Sequence, residues 1–196
     1  MPRASSTPRH PEQLAASGFA AEQWRLLSKL PAEVMIATVS LWESGPRRGA
    51  ASAARAQRRT VAEGLAGLDA IAAGRWSDSD LVRAVVAAIY AEPEEDPPMV
   101  DLAPALSGAG ANRGAGAEAT DLAPSEDPLA QRARMLAGCR RVVAVLRASA
   151  DPADSAAYRH WVEQVAVRVC RAAQSGGAPV TGAADRFLDE LGAALR

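Results

Sequence analysis

Lysine is almost missing from this chain: Lys29 stands alone among 22 lysines and arginines. Arginine carries nearly all the positive charge, alongside abundant alanine. That pairing reads as base composition before phosphate recognition, because a guanidinium fork informs only where it has a partner. A net charge of −1 excludes a general pull toward nucleic acid or anionic membrane and leaves the matter to local clusters. Histidine is nearly as scarce. His10 and His160 are the only two, which starves any metal site of its commonest ligand. The two cysteines, Cys139 and Cys170, make neither a zinc pattern nor the framework of a stapled secreted scaffold. No stretch approaches the roughly 18 apolar residues of a membrane span. The opening residues up to Pro11 lack the apolar run of a secretory signal. They read as a disordered tail over residues 1–17, and the expected location is cytoplasmic. Alternating Val/Ile/Thr runs and Asn-Gly or Asp-Gly hairpin turns are absent as well, which argues against a sheet.

What is present is helical periodicity. Phe19 and Trp24 are spaced as a hydrophobic staple around an N-cap at Ala20, with Gln23 at the third helical position. Pro31 is expected to end or kink this first helix and to open a second, from about Pro31 to Glu43. Val34, Met35, Thr38, Val39, Leu41 and Trp42 leave that second helix little polar face beyond Glu33, Ser40 and Glu43. It is therefore placed mid-bundle with Trp42 buried. Ser44-Gly45-Pro46 stops it. A third helix spans about Ala50 to Ala73, its core face assigned to Val61, Leu65, Leu68 and Ala72, and Gly74 closes it. Ser77 or Asp78 caps a fourth, through Leu81, Val85, Ala88 and Ile89, that ends at Pro93.

Residues 93–126 break the pattern. Glu94-Glu95-Asp96-Pro97-Pro98 leads into Gly/Ala-rich sequence holding Asp-Leu-Ala-Pro twice, at Asp101 and Asp121. The segment is a disordered loop or a binding loop, and its poverty in large apolar residues favours disorder. Beyond it, Asp127-Pro128 and Asp151-Pro152 each read as an N-cap followed by proline in the first turn. Met135, Leu136, Cys139, Val142, Val143 and Leu146 form one apolar face. Tyr158, Trp161, Val162, Val165, Val169 and Ala172 form the next, closed by Gly176-Gly177. Ala184, Phe187, Leu188, Leu191 and Leu195 make the last. The expected fold is a single all-α bundle over residues 18–196, with six or seven helices in blocks 18–92 and 127–196.

The stretch from Gly18 to Trp24, with Leu30-Pro31, Ser44-Gly45-Pro46, the run from Tyr158 to Ala166 and Gly176-Gly177, resembles an uncharacterised family of small helical bacterial and archaeal proteins. The chain departs from that pattern at Ala20, where Ser or Thr is usual. The motifs are structural, so the resemblance implies an all-α fold and transfers no activity or site.

Three functional classes remain. Arg47, Arg48, Arg55, Arg58 and Arg59 place five positive charges and no acid between Gly45 and Thr60. They form a solvated face, a protein contact or an anionic-surface (nucleic-acid) site, although a recognition motif and interleaved aromatics are missing. The acidic run from Glu92 to Asp96 offers them a partner within the chain. His160 and Glu163, at i and i+3, suggest a metal-binding or enzymatic bundle, with further donors needed from groups such as Glu33 and Glu43. Cys139 is expected buried and inert and Cys170 partly exposed. Gly108, Gly110, Gly114 and Gly116 lack the strand and helix of a phosphate loop. With no catalytic, cofactor or metal residues nominated, the reading is a non-catalytic protein–protein interaction or adaptor module, acting on a partner or on itself.

Overall fold

The protein is described by a computed structural model covering residues 18–42, 50–91, 127–176 and 182–196. The expected tail (1–17) and loop (93–126) fall outside these residues, as do Glu43, Arg47 and Arg48. Six α-helices and no strand occur among the described residues: α1 Ala21–Val39, α2 Ala50–Ala73, α3 Asp80–Ala91, α4 Pro128–Ser149, α5 Pro152–Ser175 and α6 Gly182–Ala194. Short 3-10 turns follow α1 (Ser40–Trp42) and α2 (Gly74–Trp76). No helix among them is long and apolar enough to cross a membrane.

The local signals explain most of the helix starts. Asp127 accepts from Leu129 N at 3.1 Å and Asp151 from Ala153 N at 2.8 Å, each cap setting a proline into the first turn. The Phe19 and Trp24 rings meet at 6.2 Å, and Gln23 Oε1 accepts from Ala20 N. The cap of α3 is Ser79, later than Ser77 or Asp78. Its Oγ accepts from Val82 N and donates to Asp154 Oδ1 at 2.6 Å, which ties the start of α3 to the first turn of α5.

α5 is the central helix and packs against the other five. Tyr158, Val162, Val165 and Val169 are fully buried on it. From α4, Met135, Leu136, Cys139, Val142, Val143 and Leu146 face them, all buried as their spacing requires; α6 adds Phe187 and Leu191, and Leu195 follows in the turn after it.

Pro31 does not end the first helix. α1 runs unbroken through it. A proline inside a helix leaves the carbonyl four residues back without its N–H, and here that carbonyl belongs to Leu27. Tyr158 Oη donates to it at 2.7 Å. The apolar stretch once assigned to a second helix is thus the second half of α1, which contacts α2, α3, α4 and α5. It is not covered all round: Ile36 is exposed, and Trp42 lies half-buried in the 3-10 turn rather than in the core.

Candidate interaction surface

α2 has two faces, and the structure reverses the assignment made from hydrophobicity. Val61, Leu65 and Leu68 are 57%, 59% and 50% exposed. At 3.6 residues per turn these three and Ala72 share an arc of about 60°. The opposite arc is buried, and it consists of Glu63, Gly67, Ala70 and Ile71, continued by Gly74.

Close approach explains the reversal. A Cβ on Gly67 would lie 2.6 Å from Met35 Sδ and 3.1 Å from Val169 Cγ2. One on Gly74 would lie 2.7 Å from Trp161 Nε1. Small residues let α2 settle against α1 and α5, and Trp161 Nε1 donates to Ala70 O at 3.2 Å across the contact. Leucines at these positions would hold the helices apart. The signal was legible as Gly67, Ala70 and Gly74 at i, i+3 and i+7, but a pattern scored for large apolar residues passes over it.

The arginine strip divides. Arg55 and Arg58 are exposed. Arg59 turns inward: its Nε stands 3.1 Å from Oε1 of the buried Glu63, and its Nη2 donates to Trp42 O at 3.4 Å. Arg59 therefore belongs to the packing between α2 and the end of α1, not to an outer contact. Beyond the apolar stripe, Trp76 is 78% exposed, with the Arg75 guanidinium 5.2 Å from its ring centroid.

The remaining sequence candidates do not converge. His160 is exposed on α5 and Glu163 half-buried. No group of three His, Cys, Asp or Glu side chains placed to hold a metal occurs among the described residues. Cys139 is buried as expected, and burial pushes its thiol up to about 12. Cys170 is also buried, at 3% exposure, contrary to expectation. Burial, then the nearby Glu63 carboxylate, pushes it to about 11. Neither thiol is a nucleophile in that state. Glu33 lines a groove of about 380 Å³ between α1 and α4, with Ile36, Gln131, Arg134, Met135 and Arg141.

The chain matches no protein-family model, no curated protein and no solved structure. Its surface is left to speak through its own chemistry. The stripe of α2 is the one place among the described residues where several large apolar side chains stand exposed at successive turns of a single helix. Contiguous exposed apolar patches are often functional in soluble proteins.

Proposed function

We propose that this chain is a non-catalytic helical interaction module that acts through the outward face of α2. The observation that carries this reading is the exposure of Val61, Leu65 and Leu68 on a helix whose opposite face is already committed to the bundle. A helix face with apolar residues at i, i+4 and i+7 is the shape that a partner helix or groove accepts. Arg55 and Arg58 flank the stripe and would steer an acidic partner toward it. The buried, unpaired thiols of Cys139 and Cys170 suit the reducing cytoplasm, where the module is expected to work.

Affinity purification from the native cell tests the proposal, with wild-type and Leu65→Glu baits compared side by side. The expected result is a defined set of bound proteins (the untagged chain among them if it pairs with itself) that Leu65→Glu loses while keeping its helical circular dichroism. An identical set on both baits overturns the reading.

A further inference from the structure

We infer that the occupant of the α2 stripe is a second copy of this chain, docked antiparallel about a two-fold axis beside Leu65. This rests on the stripe being a contact surface, as proposed above, and adds the partner and its geometry.

Three features point to self-pairing. The first is spacing. Val61, Leu65, Leu68 and Ala72 are separated by four, three and four residues, the repeat with which one helix seam accepts a copy of itself. The second is charge along one edge. Arg55 and Arg58 lie toward the N-terminal end of the stripe, Asp69 toward the other, and all three are exposed. Parallel docking would put this edge of one copy on the far side of the seam from the same edge of the other, leaving Arg58 and Asp69 apart. Antiparallel docking about Leu65 sets Arg58 of each copy near Asp69 of the other, and Arg55 near the ring of Trp76. Every such pairing then occurs twice, as a two-fold interface requires.

The third feature is room. Gly64, next to the proposed axis, has nothing within 4 Å of where a Cβ would stand. Unlike Gly67 and Gly74, it meets no neighbour among the described residues that requires it to be small, and two backbones crossing there would supply a reason. Val61, Leu65, Leu68 and Trp76 together leave on the order of 500 Å² exposed per chain. Two copies bury about twice that, and the stems of Arg55 and Arg58 widen the contact to the roughly 1,200 Å² at which specific interfaces begin.

Sedimentation velocity on the full chain across a dilution series, with helical circular dichroism as the control for folding, tests this. The wild type should approach twice the chain mass of 20.4 kDa, and Leu65→Glu should stay at that mass throughout. Arg58→Asp and Asp69→Arg should each weaken dimerisation, and the double variant should restore it. Leu65→Cys should form a disulfide-linked dimer under mild oxidation, because Cys139 and Cys170 are buried and contribute no background.

A wild-type chain that stays monomeric at every concentration overturns the inference. If Leu65→Glu still loses its captured proteins, the interaction module survives with a different partner. If Leu65→Glu instead lowers the melting temperature of a monomer, another part of the same chain covers the stripe, and both readings fall. A dimer insensitive to Leu65→Glu, or one the charge swap does not restore, also overturns the inference.

Discussion

Tyr158 replaces a hydrogen bond that Pro31 removes. Its hydroxyl, fully buried on α5, donates at 2.7 Å to the Leu27 carbonyl of α1, the acceptor that an ordinary residue at position 31 would satisfy from within the helix. The proline is tolerated because a residue 131 positions from Leu27 completes the helix that contains it. The Tyr158 ring also meets Trp161 edge-on, with centroids 5.7 Å apart.

A double-mutant cycle tests this substitution of one donor for another. Tyr158→Phe alone should cost about 1–3 kcal/mol, because it leaves a buried carbonyl unpaired. In a Pro31→Ala background the restored N–H reaches Leu27, and Tyr158→Phe should cost at least about 1 kcal/mol less. Urea unfolding midpoints measure both. An equal cost in the two backgrounds would show that Leu27 O does not depend on Tyr158.

Two glycines, Gly64 in open space on α2 and Gly74 packed in the turn that follows it, should respond in opposite directions. Gly74→Ala drives a methyl to within 2.8 Å of both Trp161 Cε2 and Val86 Cγ2, and overpacking of this kind costs about 1–3 kcal/mol. Gly64→Ala meets nothing within 4 Å among the described residues and, in a Leu65→Glu background that cannot pair, should stabilise the folded chain by about 0.5–1 kcal/mol through helix propensity. Thermal melts of the two variants separate the packed glycine from the open one.

The arginines should divide as the structure divides them. Arg55→Gln, at an exposed position, should shift stability by no more than about 0.5 kcal/mol. Arg59→Gln removes a charged partner from the buried Glu63 and a donor from Trp42 O, and should cost roughly 1.5–3 kcal/mol. Equal effects would place Arg59 in solvent.

Stability should fall in alkali through the two thiols. Burial raises Cys170 to about 11 and Cys139 to about 12, from an ordinary 9.0. The unfolded chain therefore releases these protons first as pH rises past 9.0, while the folded chain keeps them. The stabilisation is complete below 9.0 and is lost progressively between 9.0 and 11–12. Removing both thiols with Cys139→Ala and Cys170→Ala should flatten the profile between 9.0 and 10.0, above which the buried Tyr158 hydroxyl, itself raised well above its ordinary 10.0, adds a fall of its own. Alkylation at mildly alkaline pH should label neither cysteine until denaturant is added.

Much of the architecture follows from local chemistry written along the chain. Asp127 and Asp151 start helices because an aspartate before a proline satisfies the first free N–H groups, whatever the rest of the molecule does. The apolar faces of α4, α5 and α6 repeat with the helical period and carry large side chains, so they could only turn inward. What residue order could not convey is which neighbour each face meets. Pro31 has the local character of a helix breaker, and only a tyrosine brought in by α5 makes it an interior residue. Arg59 and Glu63 resemble a surface pair until the turn after α1 and the packing of α5 enclose them. Glycine and alanine won the inner face of α2 from valine and leucine. A pattern of hydrophobicity measures how much surface each side chain would bury, but packing also depends on how closely two backbones approach, and Met35, Val169 and Trp161 already occupy the space that larger residues would need. Val61, Leu65 and Leu68 were left facing outward, and that is how a stripe with the period of a core came to stand on the surface.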